Sequence, residues 1–342
     1  MTHYIPQKLI FVLLCAFATH AVELIEQEPE SLIAIDELFS PQPLELIYPP
    51  ETTSNLLIPQ TISPIELDFP QPTKHPKSLV LAVGLSTLCP GLGHTYLGDL
   101  KTAGGLFGTT GLSIGSATAF YKNNQALSTS VATALNTWLY GIYAAYRDVR
   151  IYNGQEGFAY RMPTDSLADL AYAPFNIHVL KKPEVWGGVL GAFVLACGVS
   201  YLAFHKHVSK HASHSISKAL TPAIALPVGI GEESFYHGFV QTSLSESLTP
   251  AGGIVLSSLL FGASHISNGL AMEPESRSGY YKFMLPFITL IGAYNGWLTY
   301  KNNSLQSSVA MHTWYDFILL SLASVATQSI TSQTEFAIDL PF

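Results

Sequence analysis

Hydrophobic residues occur along this chain in long runs that are separated by polar segments. Eight runs follow residue 78, at 79–97, 103–121, 131–146, 186–204, 219–244, 254–266, 283–300 and 305–326. The run at 186–204 contains no charged residue, and as a helix with a rise of about 1.5 Å per residue it would cross the apolar core of a bilayer. Backbone groups in lipid must be bonded internally. The pattern therefore predicts an all-α polytopic membrane protein with about seven or eight membrane helices.

The segments before and between these runs predict the domain organisation. Residues 1–21 are typical of a signal peptide, with Lys8, a short apolar stretch and possible cleavage sites after Ala18 and Ala21; an uncleaved anchor helix is the alternative. Residues 22–76 are acidic and proline-rich, which predicts a largely disordered exported linker. A three-helix membrane unit at 77–146, a polar connector at 147–184, a larger membrane domain at 185–328 and a polar tail at 329–342 follow.

Composition and charge narrow the class of protein. Only 12% of the residues are charged, about half of the ~25% that is usual in soluble domains, which favours a multi-pass protein of a cell membrane, with a bacterial inner membrane as the expected location. The net charge of −8 argues against nucleic acid as a partner. Three cysteines, Cys15, Cys89 and Cys197, do not provide a disulfide framework or a thiolate zinc site.

Ionisable residues inside three of the apolar runs are the candidates for chemistry. They are Glu232, Glu233 and His237 in the first group, His265 with Phe261 in the second, and His312 with Asp316 in the third. Such groups cost about 2.5–3.5 kcal/mol each to insert into a membrane, so their presence indicates function by default. Taken singly, each group could instead be a buried ion pair, a packing histidine or an interhelical polar clamp.

Helical spacing relates these side chains to one another. Glu233 and His237 are four residues apart and share a helix face, while Glu232 projects about 100° away from them. One glutamate could thus face a substrate while the other is held by His237. His312 and Asp316 share a face in the same way. For joint chemistry we expect Glu232, His265 and His312 to converge.

Together and in this order, the three motifs resemble the CPBP family. Its members include CAAX prenyl endopeptidases and bacteriocin-processing or immunity proteins, often called ABI proteins. Gly292, Gly296 and Tyr300 are similar to the glycine-spaced approach to the last motif of that family. The resemblance covers roughly 185–326, under half of the chain.

The resemblance implies an all-α intramembrane endopeptidase. Glu232 matches the catalytic glutamate that activates water together with His265, and Glu233 belongs to the pair that supports it. His312 and Asp316 match the positions of an oxyanion hole. The implied partners are the lipid bilayer and a peptide or membrane-protein substrate.

Two positions depart from the family pattern. His237 stands where the family has arginine, and an imidazole supports Glu233 as a cation only when it is protonated. Asp316 replaces the commoner asparagine, and a carboxyl group donates a hydrogen bond only when it is protonated. The departure at His237 favours the alternative of a catalytically silent CPBP-like scaffold or immunity-type binding protein.

Metal dependence stays open at this stage. The glutamate-dependent route requires no cofactor, whereas a glutamate and two histidines could hold zinc. A metal transporter using Glu232, His265 and His312 is a third hypothesis. Histidines at 205, 207, 211 and 214 predict a basic loop that faces lipid headgroups, with metal binding as the alternative.

One further motif lies outside these groups. Residues 88–98, with Pro90, Gly91, Gly93 and His94, resemble the Pro-Gly-Leu-Gly turn of small bacterial tandem-helix membrane modules. A glycine-rich packing segment is the simpler interpretation.

Overall fold

The described part of the protein is helical. A computed structural model describes residues 75–155, 162–204, 221–272 and 274–332, and every regular element in these ranges is a helix. The all-α prediction is therefore confirmed for these residues. The signal peptide at 1–21, nearly all of the linker at 22–76, the histidines at 205, 207, 211 and 214 and the end of the chain lie outside the described residues.

The first unit consists of four helices: α1 (Leu79–Leu88), α2 (Leu92–Leu97), α3 (Leu100–Ala119) and α4 (Asn124–Tyr152). The first apolar run is interrupted because Pro90 has no N–H group to donate and Gly91 adopts a φ of 94°. A side chain at Gly91 would also place its Cβ 2.8 Å from the carbonyl oxygen of Ala103. The break lets α2 turn back against α1.

The polar connector contains two short helices, α5 (Leu167–Tyr172) and α6 (Ile177–Leu180), joined by a 3₁₀ turn at Ala173–Phe175. A capping box of Ser166 and Asp169 begins α5. The side-chain hydrogen bond from Ser166 holds the pKa of Asp169 below its usual value.

The second unit contains the remaining elements. They are α7 (Pro183–Phe204), a 3₁₀ turn (Pro222–Ile224), α8 (Ala225–Glu232), a π-helix (Glu233–Val240), α9 (Gln241–Ser247), α10 (Pro250–Ser264), α11 (Ile266–Ala271), α12 (Pro274–Gly279), a second π-helix (Tyr280–Met284), α13 (Leu285–Asn302) and α14 (Gln306–Ser332). Helices α8, α13 and α14, together with α4 and α7, enclose the main core. Large buried side chains of this core include Tyr143, Leu298 and Met311.

Two segments in the described ranges are long and apolar enough to cross a membrane, Pro183–Phe204 and Pro250–Leu270. Their outer faces expose large apolar side chains, among them Leu190 and Val194 on α7 and Val255 and Leu259 on α10. The predicted total of seven or eight membrane helices stays a prediction.

Candidate active site

The double-glutamate motif lies where the helical winding changes. Glu232 is the last residue of α8, and Glu233 begins the π-helix that runs to Val240. π-helical segments are rare and occur frequently at functional sites. The change of winding places the two adjacent carboxylates in different surroundings.

Glu233 is fully enclosed and held by two donors. Its side chain is 0% exposed, and its Oε1 atom accepts hydrogen bonds from His312 Nδ1 at 2.7 Å and from Asn295 Nδ2 at 2.7 Å. These donors come from α14 and α13, so one carboxylate oxygen joins three helices. The second oxygen, Oε2, is buried without a hydrogen-bond partner in the described structure. Glu233 is therefore placed to organise the site.

Glu232 has the opposite environment. Its side chain is 21% exposed, and His312 Nε2 lies 3.9 Å from Oε2. That distance is too long for a hydrogen bond, and Glu232 makes none with the other residues that the structure describes. Its carboxylate is thus free to bind water or substrate.

His312 connects the acidic side chains of the site. Its Nδ1 atom faces Glu233, while its Nε2 atom lies 3.4 Å from Asp316 Oδ2 as well as near Glu232. The predicted i, i+4 relation between His312 and Asp316 is present, and Asp316 is 25% exposed. Since ionised carboxylates only accept hydrogen bonds, both ring nitrogens of His312 act as donors when these groups are ionised.

His265 lies at the carboxyl end of α10, next to the same cluster. Its Nδ1 atom is 2.9 Å from the carbonyl oxygen of Phe261, and a carbonyl only accepts, so we assign the proton to Nδ1. The lone pair of Nε2 is then available as a base. The Phe261 ring lies 4.8 Å from the His265 ring and 6.2 Å from the His312 ring. Glu232 is close enough to His265 to interact with it electrostatically.

His237 is hydrogen-bonded to Gln241 and lies within electrostatic reach of Glu233, its predicted partner. Its Nδ1 atom is 2.9 Å from Gln241 Oε1, and Gln241 Nε2 donates to the carbonyl oxygen of Gly296 at 3.0 Å. The Gln241 amide is thereby oriented, so His237 donates from Nδ1. Its Nε2 atom is buried without a hydrogen-bond partner in the described part of the chain. The hydrogen bonds of Glu233 go to His312 and Asn295 instead of to His237.

Two glycines of α13 allow the Phe261 ring and the Gln241 side chain to lie close to the backbone of that helix. A Cβ at Gly292 would lie 2.7 Å from the Phe261 ring, and one at Gly296 would lie 2.5 Å from Gln241 Oε1. Both glycines were predicted from the sequence to matter, whereas Asn295 between them and Gln241 on α9 were not predicted. A neutral polar residue within an apolar run was the available signal.

Glu232, His265 and His312 are the side chains proposed from the sequence as possible metal ligands. No group of three histidine, cysteine, aspartate or glutamate side chains in the described ranges is arranged to hold one. Both ring nitrogens of His312 face carboxylates, and the Nδ1 of His265 faces a carbonyl group. The described side chains thus present no preformed set of three ligands, and metal dependence stays a prediction.

Comparison with known proteins shows a family similarity for one segment of the chain. No curated protein and no solved structure matches this chain significantly. The family model described as type II CAAX prenyl endopeptidase Rce1-like matches residues 214–318, a segment that contains all six predicted site residues. Proteins of that family are membrane-embedded proteases, that is, hydrolases. The match confirms the resemblance read from the three motifs: residues 214–318 are similar to the Rce1-like CAAX proteases of the CPBP family.

Proposed function

We propose that this protein is an intramembrane endopeptidase in which Glu232 activates water for attack on a peptide bond. The observation that carries the proposal is the unequal environment of the two glutamates. Glu233 is fully buried and hydrogen-bonded, whereas Glu232 is partly exposed and has no hydrogen-bond partner in the described structure. A general base must be within reach of the proton that it removes, and only Glu232 meets that condition.

The proposed reaction uses the groups around Glu232. Water lies between the Glu232 carboxylate and His265 Nε2, and Glu232 takes a proton as the oxygen attacks the carbonyl carbon. Glu232 then gives this proton to the leaving amine nitrogen as the C–N bond breaks. The products are a carboxylic acid and an amine, and Glu232 is ionised again.

His312 is the proposed donor to the oxyanion. Its Nε2–H points toward the space between Glu232 and Asp316, and a preorganised donor of this kind is worth about 2.7–4 kcal/mol. Asp316 orients the imidazole and is not itself the donor, because its oxygen faces His312 Nε2. On the other side of the ring, His312 Nδ1 donates to Glu233 Oε1, which also accepts from Asn295.

The test is cleavage by full-length protein in liposomes, with fluorogenic peptides that end in a CAAX sequence, both prenylated and unprenylated. Glu232→Gln is expected to lower the rate by about 10²–10⁴-fold. The matched control is Glu275→Gln, which changes an exposed glutamate on α12 and leaves the rate unchanged. Equal rates for the wild type and Glu232→Gln would contradict the proposal.

The alternative function is a catalytically silent scaffold or immunity-type binding protein. The bond of His237 to Gln241 favours it, since no arginine among the described residues supports Glu233. This alternative predicts that the wild type cleaves neither peptide under conditions in which an arginine-containing relative does.

As further parts of the leading proposal, the protein crosses a bacterial inner membrane several times and requires no cofactor.

A further inference from the structure

The turn that precedes α14, the helix of His312, is bound by a carboxylate from outside the segment matched by the family model. Asp165 Oδ2 accepts the backbone N–H of Leu305 at 2.7 Å. Asp165 Oδ1 accepts from Ser304 Oγ at 2.9 Å and from Gln306 Nε2 at 3.0 Å. A carboxylate at this end of a helix satisfies unpaired N–H groups and interacts favourably with the helix dipole. Asp165 thus caps α14 from a distant part of the sequence.

The first unit holds Asp165 in turn. Arg147 Nη1 on α4 donates to the backbone carbonyl oxygen of Asp165 at 2.5 Å. Arg147 Nε also donates to Asp148 Oδ1 at 2.7 Å, and His94 Nε2 lies 3.2 Å from Asp148 Oδ2. His94 belongs to the motif at 88–98 that the proposed reaction does not use. A continuous series of polar contacts therefore runs from this motif to the start of α14.

Two hydrogen-bond donors of the site lie on the two helices that this turn connects. The turn joins α13 to α14 through Asn303, whose φ is 48°, and Thr299 Oγ1 is 3.0 Å from Ser308 Oγ across the two helices. Asn295 on α13 and His312 on α14 both donate to Glu233. His312 is seven residues beyond Leu305, about 10 Å along a rigid helix. A shift of the turn would move both donors.

Helix α4 also contacts the helix of the double-glutamate motif. Glycines flank the motif at Gly231 and Gly238, and a Cβ at Gly238 would lie 2.6 Å from the Tyr143 ring. At Gly231 the added atom would collide with Asn136. Because α4 packs directly on these backbones, it contacts the glutamate side of the site as well as the histidine side.

We propose that Asp165 and Arg147 are positioning residues of the peptidase. They hold the α13–α14 turn so that His312 and Asn295 stay in place on Glu233. The first membrane unit is then part of the working enzyme and not an attached module. The activity readout of this inference rests on the proposed function, whereas its structural readout does not.

The experiment compares Asp165→Asn, Asp165→Glu and Arg147→Lys in full-length protein in liposomes. The matched control is Asp169→Asn, because Asp169 is an exposed acid whose hydrogen bonds go to Ser166. The kcat and KM values are measured with the CAAX peptide that the wild type cleaves. Hydrogen exchange is measured at the amides of 305–312.

We expect Asp165→Asn to lower kcat about 10- to 100-fold, as misplacement of catalytic groups by about 1 Å does, with little change in KM. Exchange at 305–312 becomes faster. Asp165→Glu, which keeps the carboxylate, recovers part of both losses. Arg147→Lys shows the same changes to a smaller extent, because lysine keeps the charge but loses the forked geometry. Asp169→Asn changes neither readout.

Unchanged kcat and exchange in Asp165→Asn would overturn the inference, as would equal effects in Asp169→Asn. If Asp165→Asn does not fold, Arg147→Lys decides: wild-type exchange at 305–312 in that variant would overturn the inference. If Glu232→Gln cleaves as fast as the wild type, the proposed function fails. The exchange measurement then decides the positioning role by itself.

Discussion

Two buried histidines of this protein each face carboxylates, but the charges around them differ. His94 lies 3.2 Å from Asp148, and Asp148 is also bonded to Arg147 at 2.7 Å. His312 faces Glu232, Glu233 and Asp316, and no lysine or arginine in the described ranges pairs with these three acids. Exposure does not separate the two clusters, since Asp148 is 23% exposed and Asp316 is 25% exposed.

The difference lies in charge balance. The His94 cluster sets one carboxylate against one guanidinium, as expected for a structural ion pair. The His312 cluster places three carboxylates around His312, and the other groups in electrostatic reach of its two glutamates include His265 and His237, which carry charge only when protonated. The negative charge of this cluster must therefore be balanced by protons or by donors on a bound molecule. Groups arranged in this way are characteristic of sites that transfer protons. A histidine next to an acid therefore indicates a proton-transfer site only when the neighbouring cations are counted as well.

The largest expected effect is on the reaction rate, and it should occur in only one of the two clusters. Glu232→Gln is expected to lower cleavage by about 10²–10⁴-fold. Asp148→Asn, the matching change in the His94 cluster, should lower it by less than about tenfold, because Asp148 acts only through Arg147 and Asp165. Rates are measured in the same liposomes with the same peptide. Equal losses in both variants would remove the distinction between the clusters.

The next effect is on stability, and it separates the two glutamates. Glu233→Ala leaves the buried donors of His312 and Asn295 without an acceptor, and breaking a buried pair of this kind costs about 3–5 kcal/mol. Glu232→Ala should cost less than about 1 kcal/mol, because Glu232 is partly exposed and makes no hydrogen bond in the described structure. Thermal unfolding in one detergent measures both free energies. A larger loss for Glu232→Ala would reverse the roles assigned to the two residues.

The sequence was sufficient to predict the helical structure of the described residues and to select candidate site residues, because each has a strong local signal. Apolar runs predicted the helices, and ionisable residues within them predicted Glu232, His265 and His312, which the structure brings close to the Phe261 ring or to one another. The break at Pro90 also has a local signal, the Pro-Gly-Leu-Gly motif within residues 88–98.

Three features could not be predicted because no local pattern encodes them. The change to π-helical winding at Glu233 follows no residue rule. Asn295 is a neutral residue whose importance depends on where Glu233 points. The contact of Asp165 with Leu305 spans 140 residues, and the polar connector gave no indication that one of its acids caps the last helix.

A steric change should have an intermediate effect. Gly292→Ala forces the Phe261 ring away from the new Cβ, and overpacking of this kind costs about 1–3 kcal/mol. The ring lies beside both His265 and His312, so cleavage should fall along with stability. Gly191→Ala on α7 is the matched control, because a Cβ there meets no atom within 4 Å. Loss of activity in the control alone would contradict the packing argument.

The smallest effect is expected from His237→Arg, which gives the His312 cluster the cation that Arg147 provides to the other cluster. An arginine at 237 could donate to Glu233 Oε2, which now has no hydrogen-bond partner in the described structure, and a hydrogen bond to a charged group contributes about 1.5–3 kcal/mol. The larger side chain must fit beside Gly296 and the Phe261 ring, at an overpacking cost of about 1–3 kcal/mol. The two contributions nearly cancel, so stability should change by less than about 1.5 kcal/mol.

The pH dependence of the same variant tests the charge of His237. Its Nδ1–H is bonded to Gln241 and its Nε2 has no acceptor among the described residues, so we expect a neutral ring and coinciding pH–rate profiles for the wild type and His237→Arg. His237→Gln, which keeps a neutral donor toward Gln241, is the control and should give the same profile. A wild-type rate that falls at high pH while the rate of His237→Arg persists would show that His237 works as a cation. In that case charge balance at Glu233 controls catalysis, and the role of base could not be assigned to Glu232 independently of its neighbour.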